Sequence, residues 1–170
     1  AGALFDNHCF NYAGQLLFIN GLQRVYASDS TQWFMELRVH FMVDSEDDGN
    51  VGVVFGYQNA SAYMRYQWSS EGVRAAGRTP CQSIVQRRDG VLQKEITFAA
   101  TGYRAHQWYT LALRIVRHDL VRFQVWPGYG EPLDAVDTQA HEYQNDNFMR
   151  ALLNGGRFAL FCSAATCYYD

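Results

Sequence analysis

The chain has no apolar run near the about 18–20 residues that a membrane-spanning helix needs. It also has no basic excess. The formal net charge is −3, which argues against a nucleic-acid binder. Lysine is nearly absent: Lys94 is the only one among fourteen basic residues, a bias with no physical account in the sequence. No Cys-x-x-Cys pair occurs and the five histidines are scattered, which disfavours zinc. Nucleophile elbows and phosphate loops are missing too. A retaining glycosidase would need two carboxylates about 5 Å apart. Glu36 stands alone on its strand face beside Phe34, Arg38 and His40, and Glu95 has no acid at 93 or 97.

What remains is an aromatic-rich, strand-patterned chain of 170 residues, 48 % apolar and 18 % charged. That length and composition fit one globular domain over 1–170 with its own core. "WFMELRVHFMV" (33–43) sends Trp33, Met35, Leu37, Val39, Phe41 and Val43 to one face and Glu36, Arg38 and His40 to the other. Such alternation marks a half-buried antiparallel strand. "VGVVFGY" (51–57) and "SAYMRYQW" (61–68) follow across a short polar turn. "SIVQRR" and "VLQKEITF" flank Asp89-Gly90, a two-residue hairpin signal. "WYTLALRIV" and "LVRFQVW" flank "RHD", and "RFALFC" with "TCYYD" reads as a last hairpin. One short helix is predicted over 146–154, capped by Asp146 or Asn147 and stopped by glycines. Many short strands with regular turns predict an all-β antiparallel sandwich or jelly roll. The chain begins without Met and ends inside a predicted strand. The expectation is a domain cut or processed from a larger protein.

Four cysteines, Cys9, Cys81, Cys162 and Cys167, suit two disulfides in an oxidising compartment, the alternative being four buried thiols. Cys162 and Cys167 flank "SAAT", so a hairpin would set them opposite each other, leaving Cys9 for Cys81.

Several of these segments, in order, resemble a known class. "DSEDDGNVGVVFGYQNASAYMRYQW", "HQWYTLALRIVRHDLVRFQVWPG" and "GGRFALFCSAATCYYD" are similar to the concanavalin A-like jelly-roll domains, most of all the C-terminal domain of thrombospondins, with laminin G-like modules as wider relatives. "NGLQRVYA" (20–27) stands where such domains often carry an early Gly-Leu strand. The resemblance implies an extracellular, non-catalytic module that binds glycans, matrix or cell-surface proteins, often with calcium. The calcium-binding repeats that precede the thrombospondin domain are absent here, and no legume-lectin sugar site matches residue by residue. Fold therefore transfers more safely than ligand.

Calcium takes six to eight oxygens, and Asp44, Glu46, Asp47, Asp48 and Asn50 offer them on one segment. The spacing begins like an EF-hand, but its twelfth position is Phe55 and its flanks are strands. A single-loop calcium site remains, against a solvated hairpin turn in which Asp-Gly supplies the backbone angles. A second candidate ion site joins Asp6, Asn7 and Asp170, should the first and last strands lie side by side. The alternative is a set of surface residues.

Asn59-Ala60-Ser61 is a glycan acceptor triplet between two predicted strands, relevant if the protein is secreted. Facing outward if Ala62, Met64, Tyr66 and Trp68 face in, Tyr63, Arg65 and Gln67 suit a sugar ring, with Trp126 and Tyr129 added on a loop. They equally suit packing against another sheet or domain. Three functions follow. The first is a glycan or surface-protein recognition module. The second is a structural block that packs against copies in a filament or matrix. The third, least favoured, is a polysaccharide lyase or hydrolase that groups Arg38 and His40 with Tyr63 or Tyr66.

Overall fold

The computed structural model describes residues 15–19, 35–47, 49–99, 101–117, 120–130, 139–142, 157–163 and 165–170. The helix expected over 146–154 and the early strand at 20–27 lie outside these residues, as do Asp6, Asn7, Cys9 and Asp48.

The described strands are β1 (Gln15–Ile19), β2 (Met35–Val43), β3 (Asn50–Asn59), β4 (Ala62–Ser69), β5 (Cys81–Arg88), β6 (Val91–Ala99), β7 (Trp108–Arg117), β8 (Leu120–Pro127), β9 (Gln139–Glu142), β10 (Arg157–Ser163) and β11 (Cys167–Tyr169). A 3-10 helical turn, Glu71–Ala76, links β4 to β5. The strands form two sheets. One has six strands in the order β1-β10-β3-β4-β5-β6, the other five in the order β11-β2-β7-β8-β9. Every pairing within them is antiparallel. This is the expected β-sandwich with jelly-roll character.

Alternation explains the core. Leu37, Val39, Phe41 and Val43 of β2 face Val51, Val53 and Phe55 of β3 and Met64, Tyr66 and Trp68 of β4. Tyr109, Leu111, Leu113, Phe123 and Val125 complete the interior of the five-stranded sheet. Aromatic rings bridge the two layers. Tyr66 stacks on Phe123 with centroids 4.7 Å apart, and Trp68 stands edge-on to Tyr109 at 5.0 Å. Such pairs contribute about 0.5–1.5 kcal/mol each beyond area burial. Their polar tips are satisfied. The Tyr66 hydroxyl donates to Gln82 Oε1 and the Trp68 indole N–H to the Thr101 carbonyl, at 2.7 and 2.8 Å.

Turn chemistry behaves as expected at Asp89-Gly90, where both residues take positive φ, 52° and 78°, the geometry of a two-residue hairpin loop. Gly52 answers a different demand: a Cβ there would sit 1.9 Å from the Tyr66 carbonyl oxygen of the neighbouring strand.

Two connections differ from the sequence reading. The acidic segment after β2 is not a hairpin turn, because β2 belongs to the five-stranded sheet and β3 to the six-stranded one. It carries the chain from one layer to the other. Gly49 is required there by proximity rather than by φ, since a Cβ would meet the Ser163 carbonyl oxygen at 2.7 Å. Likewise β10 and β11 do not form a hairpin; they too sit in opposite sheets. Cys162 and Cys167 are nonetheless bonded, with Cα atoms 6.1 Å apart, so the disulfide ties one layer to the other. The Tyr169 hydroxyl donates to the Phe161 carbonyl beside it at 3.0 Å. Burial holds that phenol well above its ordinary pKa. Cys81 is also disulfide-bonded; its expected partner, Cys9, lies outside the described residues.

Candidate ligand-binding site

Tyr63, Arg65 and Gln67 all point away from the sandwich core, as alternation requires, but they are not equally accessible. Tyr63 is half-buried, whereas Arg65 is 3 % exposed and Gln67 is fully buried. The Arg65 guanidinium lies over the Phe161 ring at 4.5 Å. Loss of solvent lowers its pKa to about 10, with Tyr63 favouring and Arg87 opposing the charge. It therefore stays protonated at neutral pH. Arg65 and Gln67 form the floor of this face rather than the exposed contacts expected of them. Val54, Ala159 and Phe161 make the apolar part of that floor, and Phe18, Tyr57 and Tyr63 pack against it.

What the face does present is a row across four strands. Register pairs Arg157 with Tyr57, and Tyr63 with Arg87. Tyr57 and Tyr63 stack with centroids 5.8 Å apart. Arg157 is exposed and covers the Phe18 ring at 4.2 Å. The Nε of Arg87 is buried without a hydrogen-bond partner. Tyr57, Arg87 and Arg157 were not singled out in the sequence. The signal for Tyr57 and Arg157 is their register, which only strand pairing reveals.

Trp126 and Tyr129 lie elsewhere, on the outer face of the five-stranded sheet. The sequence grouped them with Tyr63, but the whole sandwich separates the two sets. Trp126 is buried; its indole N–H donates to the Gly130 carbonyl at 2.9 Å, and the Arg38 guanidinium lies 5.7 Å from its ring centroid. Tyr129 is 52 % exposed. Its ring rests 4.3 Å from the His40 imidazole and 5.7 Å from the Trp108 indole, centroid to centroid. The grouping of Arg38 and His40 with Tyr63 or Tyr66 does not form. Tyr66 is in the core and Tyr63 is on the opposite side.

The acidic segment uses its carboxylates to fasten loops. Asp44 Oδ1 accepts the Thr166 N–H at 3.0 Å. Glu46 Oε1 accepts the Ala105 N–H at 2.9 Å, with Arg104 3.7 Å from Oε2. The Ser70 hydroxyl lies 2.9 and 2.6 Å from the Glu46 and Asp47 carbonyls. Asn50 is buried. Among the described residues no three acids, histidines or cysteines converge on a metal-sized site. Asp170 pairs with His40 of β2 through two backbone hydrogen bonds of 3.1 and 2.9 Å. The first described strand, β1, lies instead against β10. Asn59 is exposed on the β3–β4 turn, where its side-chain oxygen accepts the Ser61 N–H at 2.8 Å.

No family model matches the chain, and no curated protein matches it. Solved structures do. Galectin-Ib of Xenopus laevis superposes with a TM-score of 0.55 at 7 % identity, over 93 % of this chain and 100 % of that one. CG-16, a homodimeric agglutinin from chicken liver, gives 0.55 at 10 % identity over the same shares. The carbohydrate-binding module CBM66 from Bacillus subtilis gives 0.51 at 11 % identity, over 79 % of this chain and 70 % of that one. At such identities the likeness is one of fold: the chain has the two-layered jelly roll that these proteins share.

Proposed function

We propose that this chain is a non-catalytic glycan-recognition module that works outside the cell. The observation that carries the reading is the row Arg157–Tyr57–Tyr63–Arg87 on the six-stranded sheet. A sugar ring needs a flat apolar surface for its C–H face and planar hydrogen-bonding groups at its rim, and tyrosines flanked by guanidinium forks offer both. The fold supports it: a toad ovary galectin of the same architecture, with a TM-score of 0.53, was solved with thio-digalactose. A disulfide between the layers and the lack, among the described residues, of a helix long and apolar enough to cross a membrane are compatible with secretion. Calcium dependence is not needed for the row to act. If the protein is secreted, Asn59 lies on an exposed turn where a glycan can attach.

Glycan-array screening followed by titration of the best hit tests the proposal. Tyr63→Ala combined with Arg87→Ala is expected to weaken binding more than about tenfold, or about 1.4 kcal/mol. A blank array, or a hit whose affinity survives both changes, sinks it. A second reading, a structural block that packs against copies of itself, is favoured by β1, at the end of the six-stranded sheet among the described residues, where Leu16 and Leu17 are 36 % and 62 % exposed. Sedimentation across a concentration series, with Leu17→Lys as control, decides it. A monomer at every concentration rejects self-association.

A further inference from the structure

We infer that the opposite face of the sandwich holds a second, separate site, built for one neutral pyranose ring. The ring stacks on Tyr129, while His40 Nε2 and the Asp170 carboxylate accept its hydroxyls.

Tyr129 is exposed but not loosely held. The turn that carries it is anchored three times to the sheet beneath. The Gly128 N–H donates to the Trp108 carbonyl at 2.8 Å, the Thr110 hydroxyl donates to the Gly128 carbonyl at 2.7 Å, and the Trp126 indole N–H donates to the Gly130 carbonyl at 2.9 Å. The glycines on either side have φ of 80° and 86°, a conformation that L side chains rarely adopt. This turn folds back and lays the phenol ring over His40 and toward Trp108. A preformed aromatic surface of this kind binds with little ordering cost.

The hydrogen bonds also set the histidine. Thr110 Oγ1 has one proton and gives it to Gly128. Its contact with His40 Nδ1, at 2.8 Å, therefore needs the nitrogen as donor. Neutral His40 then carries its proton on Nδ1, which leaves Nε2 as an acceptor. Asp170 stands directly across from His40 in a hydrogen-bonded antiparallel pair, so the two side chains leave the sheet on the same face, with Cβ atoms about 5.5 Å apart. The Tyr129 hydroxyl lies 3.5 Å from Asp170 Oδ2. Arg38, exposed, occupies the next position along this face of β2.

An imidazole acceptor and a carboxylate beside an aromatic ring match a donor-rich polyol with an apolar C–H face. The carboxylate disfavours an acidic sugar here. This site does not depend on the tyrosine–arginine row, and the two face opposite directions.

The test is a titration of the chain with methyl glycosides of galactose, glucose and mannose, followed by NMR. At least one glycoside is expected to shift the Tyr129, Trp108 and His40 signals with a Kd on the order of 1–10 mM. Tyr129→Ala is expected to abolish those shifts and Asp170→Asn to weaken binding about tenfold, while Tyr63→Ala leaves them unchanged. Unshifted signals from the sheet residues confirm that each variant is folded. If only Tyr57 and Tyr63 respond, the second site is refuted and the glycan-module reading stands. Shifts that persist in Tyr129→Ala, or no shift at any aromatic residue, also overturn it. A long-range nitrogen spectrum with the proton on Nε2 would remove His40 as the acceptor.

Discussion

Replacing Cys162 and Cys167 together with alanine should lower stability by an amount that the topology sets. The bond closes a short loop, sequence separation 5, and joins β10 of one sheet to β11 of the other. For a loop of about six residues, the chain-entropy relation gives about 7 cal/mol/K, or about 2 kcal/mol at 25 °C. The native state should otherwise keep its shape, because β11 has other anchors. It pairs with β2 from Cys167 to Tyr169, the Tyr169 hydroxyl reaches Phe161, and Asp44 holds the Thr166 N–H. In a domain of this size 1 kcal/mol moves Tm by about 2–4 °C, so the double variant should melt about 4–8 °C lower, still in one cooperative transition. Calorimetry without reductant reads this directly, and the bond at Cys81 remains intact in both proteins. A double variant that melts within about 1 °C of the parent would refute the entropic argument. A transition split in two would show that the shared core does not keep the two layers unfolding as one unit without the bond.

Thr110→Val should leave His40 Nδ1 and the Gly128 carbonyl without their partner. The expected loss is about 1–3 kcal/mol, measured by denaturant melts, together with weaker glycoside shifts at Tyr129; unchanged shifts would detach that turn from the Thr110 relay. At Glu71 partial burial raises the pKa, but the Arg74 hydrogen bond, the Gly102 N–H and the charges of Arg74 and Arg104 outweigh it, leaving the carboxyl below its usual range. Its contribution is therefore present above the ordinary value of 4.5 and is lost as pH falls through the lowered one. Glu71→Gln should cost under about 1 kcal/mol at pH 7, with the gap to the parent closing in acid; a gap constant with pH would deny the carboxylate a role. Calcium and EDTA should give the same Tm, because Asp44 and Glu46 already bind backbone N–H groups of two different loops. A calcium-dependent rise would instead place an ion on the acidic segment or at Asp170.

Much of the fold was readable locally. In β2 and β4 the alternating pattern named the core residues, because successive Cβ atoms on a strand point to opposite faces whatever the neighbours are. Asp89-Gly90 announced its turn because few other pairs take two positive φ values cheaply. Cys162 and Cys167 were paired through an expected hairpin; the bond is there, but it joins strands of opposite sheets.

Pairing was not readable in this way. Residues 44–49 and the "SAAT" segment carry ordinary turn residues, yet each leads to the opposite sheet rather than to an adjacent strand. Which strands become neighbours depends on the apolar area that the whole arrangement buries, and no short segment contains that information. Exposure was hidden for the same reason. Alternation turned Arg65 and Gln67 away from the core and Trp126 was expected on a loop, but the tertiary structure buried all three. By itself the sequence determined an antiparallel sandwich, the inward faces of its strands and one of its turns. Only the tertiary structure decided that Tyr63 and Tyr129 serve opposite faces, because strand assignment to sheets is settled by non-local burial.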